Sequence, residues 1–258
     1  MTLDKMPDIL IVGPSGSGKT TSFRNMDRKT TEYIDLEEKG LPFGKAFKFH
    51  HHPLRIEGKA PDEEIDPARV IEQDKQMMKI AVNNPESDVI VRDSFTKWDE
   101  MLLSYQRIVN RNYDIYNGHN ESVKKILNRY KGCGKPVVWT GIDEVVKIET
   151  ADEIDVIGRR LKVYGRELEG TLEKEFTVVL FTETVKQANG SLKYFFRTHG
   201  DGVCSAKTPM GMFKDDLIDN DLKAVMDRIW EFYEEQEEED TAATVTPKKV
   251  AAKKAAKR

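Results

Sequence analysis

Short, unbroken apolar runs punctuate the chain, and longer stretches of helical spacing separate them. Ile9–Val12 is the first run; it enters a glycine-rich turn and then a helix-compatible segment. Glu32–Leu36 predicts a second strand ending in a cluster of acids, and "KAFKFHHHPLRI" predicts another short one. "PARVIEQDKQMMKIAVNN" predicts a helix with Pro67 in its first turn and Val70, Met77 and Ile80 on its core face. Val89–Val91 predicts a buried strand, Lys97–Asn112 and Glu121–Lys131 predict helices, and Pro136–Thr140 a further strand. "FTVVLFTE" and "LKYFFRTHGD" then predict a hairpin across "KQANGS". Strand, loop and helix repeat and close on antiparallel strands, which predicts an α/β fold: a mainly parallel sheet with helices on both faces.

Composition sets the outer limits. A chain of 258 residues with 38% hydrophobic content can bury one substantial α/β core. Cys133 and Cys204 lie far apart without C-x-x-C spacing, against a disulfide framework or a zinc site. No apolar run is long enough to span a bilayer, and Asp8 interrupts the short N-terminal segment, so the expectation is a soluble, cytoplasmic protein.

The net charge of −4 conceals a segregation, because "KKVAAKKAAKR" at the end carries six positive charges and leaves −10 for the rest. "EEQEEED", Glu234 to Asp240, lies just upstream, and "TAATVTP" between the two reads as a linker. The expected organisation is therefore a folded domain over 1–236 and a disordered acidic-then-basic tail over 237–258. The Lys/Ala tail can meet phosphate backbones through counterion release, or it can simply confer solubility.

The chemistry concentrates in "GPSGSGKTT", which has the G-x-x-x-x-G-K-[ST] spacing of a phosphate loop. Gly13, Gly16 and Gly18, with Pro14, Ser15 and Ser17 between them, let the backbone bend tightly and turn successive N–H groups inward. The N-terminal amides of the next helix add to this anion site. Lys19 reaches the β- and γ-phosphates, the hydroxyl of Thr20 coordinates magnesium, and Thr21 completes the binding segment. The alternative, a glycine-rich turn with a stray lysine, leaves all eight matching positions unexplained. ATP and Mg2+ are the expected ligands.

Asp93 stands at the carboxyl end of the Val89–Val91 strand, where parallel sheets bind ligands, and an acid there can hold the magnesium through water; Ser94 can assist. Thr140 and Asp143 end another strand and could sense the γ-phosphate, although polar residues also end ordinary strands. His50, His51 and His52 look like a metal tract, but neighbours in a strand point to opposite faces, which favours an edge strand.

"GPSGSGKTT", "IDLEEKG", "VIVRDS" and "RTHGDGVCSAKTPMGMF", in that order, resemble the phage-encoded RecA-like ATP-binding proteins of the AAA type, some of which are single-strand annealing recombinases. The similarity covers roughly Ile9 to Phe213 and implies a RecA-like P-loop fold, a homo-oligomer and a single-stranded DNA partner. It also implies roles. Glu37 would orient the attacking water, with Glu38 as understudy, and both acids otherwise make a solvated strand end. Lys207 in "SAKTP" resembles the cation that one subunit presents to its neighbour's γ-phosphate; otherwise it is a surface lysine. The segment "GIDEVVKIETADEIDVIGRR" falls where RecA-like proteins carry a mobile DNA-binding loop, but here it is acidic before it is basic.

Other readings compete with a RecA-like ATPase. An ABC transporter subunit lacks its "LSGGQ" segment. A small-molecule kinase would use Arg159, Arg160 and Arg166 as a lid over a phosphoryl acceptor. A nucleotide-gated binding module would hydrolyse slowly and act through a partner.

Overall fold

The computed structural model describes residues 6–37, 39, 41–43, 50–54, 66–110, 114–148 and 156–245. Its strands are β1 (Ile9–Val12), β2 (Thr31–Asp35), β3 (His50–Pro53), β4 (Val89–Asp93), β5 (Val137–Gly141), β6 (Asp143–Ile148), β7 (Val156–Leu161), β8 (Val178–Lys186), β9 (Leu192–Arg197) and β10 (Leu217–Asp219). Its helices are α1 (Pro67–Asn83), α2 (Phe95–Val109), α3 (Asp114–Lys131) and α4 (Leu222–Val245).

Eight strands form one sheet in the order β10-β9-β8-β1-β5-β4-β2-β3. From β8 to β3 every pairing is parallel; β9 and β10 close the other edge antiparallel. This is the mainly parallel α/β sheet closing on an antiparallel hairpin that the sequence predicts. The apolar runs are unbroken because both faces of the central strands are covered. Leu10, Val12, Ile90 and Trp139 meet α1, α2 and α3 on one face. Ile9, Ile11, Val89, Val91 and Val138 meet α4 and the turn carrying Phe23 on the other.

Local signals act as their chemistry dictates. Asp66 caps α1 by accepting from Ala68 N, with Pro67 just inside. The β8–β9 hairpin turns at Gly190, whose φ of 84° suits glycine. The three histidines form the edge strand β3, with His52 against Glu32 at 2.5 Å and His50 on the Lys29 carbonyl at 2.9 Å. Among the described residues no cluster of three or more acids, histidines and cysteines could by itself hold a metal, and no helix is long and apolar enough to cross a membrane.

Several elements differ from expectation. Ile80 is 58% exposed while Val70 and Met77 are buried, because at 3.6 residues per turn Ile80 sits roughly 120° from the centre of the buried face. The segment after the phosphate loop, expected to be a helix, is a six-residue 3₁₀ helix, Thr20–Asn25. The chain from Asp143 to Leu161 is an antiparallel pair, β6 and β7, standing apart from the main sheet. Finally, α4 passes Gln236, where the fold was expected to end, and runs to Val245. A helix already nucleated against the core extends cheaply through Glu-rich sequence. The basic tail, residues 248–258, lies outside the described residues.

Candidate active site

The loop between β1 and Thr20 is shaped from behind by β8. A Cβ at Gly13 would lie 1.7 Å from Thr182 Oγ1, so only glycine lets the strand come this close. Thr182 donates to Ser17 Oγ at 2.6 Å, and Ser17 in turn donates to the Pro14 carbonyl at 2.7 Å. Gly13, Pro14 and Ser17 therefore hold the loop's form, whereas Ser15, Gly16, Gly18, Lys19, Thr20 and Thr21 line the cleft above it. The cleft measures about 270 Å³.

Lys19 curls over the loop and donates from Nζ to the carbonyls of Gly13 (2.7 Å) and Pro14 (2.9 Å). Burial lowers its pKa, against the opposing pull of Asp93, Asp143 and Glu37. An ammonium so placed gains by meeting phosphate oxygens.

Asp93 is the hub of the opposite wall. Its Oδ2 accepts from Thr20 Oγ1 at 2.7 Å and Tyr33 Oη at 3.1 Å, and its Oδ1 from Thr140 Oγ1 at 2.5 Å. Burial raises its pKa, and Glu37 adds to the rise, while the threonine and tyrosine hydrogen bonds oppose it. Thr140 lies inside β5, fully buried, and so steadies Asp93 rather than sensing a phosphate. The Asp93–Ser94 peptide is cis.

Ser94 donates to Glu37 Oε1 at 2.7 Å, and Lys39 pairs with the same carboxylate. Burial pushes Glu37 up, but those two partners and the charge of Lys19 outweigh it and hold the group below the usual glutamate range. Asp35, whose Oδ1 accepts from Glu37 N at 3.2 Å, also lines the cleft. The donor set fits magnesium: a hydroxyl and a carboxylate, both hard oxygen ligands, stand together beside a loop built for phosphates.

Not every expected residue gathers here. Lys207 pairs its backbone with Val179 at 2.8 and 2.9 Å, near the start of β8, below Thr182, which backs the phosphate loop from the middle of that strand, and it is not among the residues that line the cleft. Burial lowers its pKa, and Glu173 and Glu175 oppose this. Within one chain it does not reach the cleft. Asp143 pairs with Arg159 at 2.7 Å, not with a phosphate position, although Ile142 beside it lines the cleft. Arg159 also bonds Glu183, and Arg160 bonds Glu144 and Glu169, so neither belongs to an open lid. Glu38 and residues 149–155 lie outside the described residues. Tyr33, Asp35, Lys39 and Thr182 escaped sequence reasoning. Only Tyr33 and Asp35, in the strand that ends in the cluster of acids, carried any signal.

The family described as "AAA domain" matches residues 5–210. Among solved structures, the chain is similar to a KaiC-like protein from the hyperthermophilic archaeon Pyrococcus horikoshii, with 13% identity, 74% of this chain and 77% of that one covered, and a TM-score of 0.38. No curated protein matches it.

Proposed function

The chain belongs to the AAA domain family, and from this premise we propose that it is a magnesium-dependent ATPase acting on single-stranded DNA in phage recombination, repair or replication. The observation that carries the ATPase reading is the convergence of Lys19, Thr20, Asp93 and Glu37 on one cleft. The loop amides and Lys19 bind the polyphosphate, and Thr20 and Asp93 hold the metal, which when bound neutralises charge developing on the phosphate oxygens. Glu37, kept ionised by Lys39 and Ser94, accepts a hydrogen bond from water and aims it at the γ-phosphorus. A carboxylate with a low pKa orients water well and is a weak base, which suits a loose phosphoryl transfer.

The DNA part rests on the order of the four segments, on the basic tail, and on the β6–β7 pair, which begins next to cleft residue Ile142. The family likeness further supports a head-to-tail oligomer in which Lys207 serves a neighbour's site. Turnover measured with and without single-stranded DNA tests the reading. Stimulation by DNA is expected; stimulation only by a small phosphoryl acceptor, or absence of turnover in both, would overturn it. Mixing Lys207→Ala with Lys19→Ala subunits should restore some activity if the site is shared. No recovery in mixtures that co-assemble leaves Lys207 a surface lysine.

A further inference from the structure

The three consecutive histidines of β3 take no part in the chemistry described so far, and the strand divides them. β3 pairs in parallel with β2, placing His50 beside Glu32, His51 beside Tyr33 and His52 beside Ile34. Side chains alternate between the faces of a sheet, so His50 and His52 fall on one face and His51 on the other. His50 and His52 are engaged by the Lys29 carbonyl and by Glu32. His51 turns instead towards Tyr33 and Asp35.

Its ring centroid lies 5.3 Å from that of Tyr33, a packing contact that seats the imidazole. From there Nε2 stands 3.4 Å from Asp35 Oδ2, a long hydrogen bond. A carboxylate only accepts, so the imidazole is the donor. Asp35 ends β2, lines the cleft and is only 2% exposed. A carboxylate so deeply placed is held by its hydrogen bonds rather than by water. Its other oxygen accepts from the Glu37 backbone N–H at 3.2 Å. That bond fixes the direction in which the chain leaves β2, and along it the Glu37 side chain reaches Ser94. One carboxylate thus links the edge strand to the residue that faces the attacking water.

We propose that Asp35 and His51 are positioning residues for hydrolysis: Asp35 sets the orientation of Glu37, and His51 holds Asp35. The proposal rests on the ATPase reading above. A carboxylate that aims water works only within a narrow range of positions. Loosening the backbone under Glu37 lowers the fraction of bound ATP that meets a correctly placed water, and so lowers kcat. The phosphate loop, Lys19, Thr20 and Asp93 meanwhile keep their hold on the ligand.

Steady-state ATPase rates and equilibrium ATP binding of the full chain, with magnesium, test this. Asp35→Ala should lower kcat about tenfold and His51→Ala about threefold to fivefold, as expected of single hydrogen bonds, one of them long. ATP affinity should stay within about twofold of the natural protein. His51→Gln, which keeps a donor, should recover most of the rate, and His50→Ala, on the opposite face, should leave it unchanged. In a Glu37→Gln background neither Asp35→Ala nor His51→Ala should lower the rate further, because residues that act through one carboxylate lose their effect with it. Losses that add in full to that of Glu37→Gln would overturn the proposal, as would natural rates in both single variants. An Asp35→Ala protein with weaker magnesium-dependent ATP binding and unchanged kcat would also overturn it, and would place Asp35 in the metal site. Should Asp35→Ala fail to fold, the His51 variants decide alone, since that position is exposed. Normal turnover by Glu37→Gln, or none by the natural protein, would instead bring down the role of Glu37 or the ATPase reading, and this proposal with it.

Discussion

The hydroxyl of Thr20 donates to the Asp93 carboxylate across 2.7 Å, joining residues 73 positions apart in the chain. The first residue after the loop lysine and the last residue of β4 thus stand together, and in the proposed function their oxygens would hold a magnesium ion directly or through water.

Lys19→Ala should reduce ATP turnover about a hundredfold or more, because a charge-assisted phosphate contact is removed. Stability should change by about 1 kcal/mol or less, since Lys19 reaches only the loop carbonyls of Gly13 and Pro14. Nucleotide binding and thermal unfolding, measured together, check both halves.

The two acids should separate in kinetics. Glu37→Gln should keep ATP bound while lowering kcat about a hundredfold or more. Ser94→Ala, which removes the 2.7 Å bond to Glu37, should lower kcat about tenfold with little change in KM. Asp93→Asn should weaken magnesium-dependent binding instead. A Glu37→Gln protein that turns over normally would remove that residue from the mechanism.

Asp8 governs a pH effect away from the cleft. Burial raises its pKa from the ordinary 3.8 to about 6, although Val137 N donates to it. The folded chain therefore holds this proton more tightly than the unfolded chain, and stability is lost as pH rises from about 4 through 6. The ceiling is about 3 kcal/mol, less for so incompletely buried a group. Asp8→Asn should be more stable than the natural protein at pH 8 and nearly equal at pH 4, read from urea unfolding at each pH.

Arg92 is fully buried, 2.6 Å from Asp74, with its guanidinium 4.4 Å from the Trp139 ring centroid. Arg92→Leu alone strands the Asp74 carboxylate and should cost about 3–5 kcal/mol. Adding Asp74→Leu should restore much of that loss, because a paired apolar replacement leaves no orphaned charge. A double variant no more stable than the single one would contradict this account.

How far the sequence reached depends on the range of the interaction. The phosphate loop, the strand ending in Asp93, the hairpin at Gly190 and the helix start at Pro67 were all legible, since each is set by residues within a few positions. The parallel sheet followed from unbroken apolar runs separated by helical spacing. Pairings across the chain were not legible. Asp74 reads as an ordinary polar helix residue until β4 brings Arg92 beneath it. Thr182 gives no hint that it shapes a loop 165 positions earlier. Thr140 read as a possible phosphate sensor, and only the insertion of β5 between β1 and β4 turned its hydroxyl onto Asp93. Lys207 likewise had its residue type in its favour, but its backbone pairing with Val179 leaves it outside the residues that line the cleft of its own chain. Local sequence determined which groups carry the chemistry, because turn geometry and side-chain type are properties of short segments. Strand order decided which of them meet, because parallel neighbours in the sheet are joined by crossover connections and pair residues far apart in the chain.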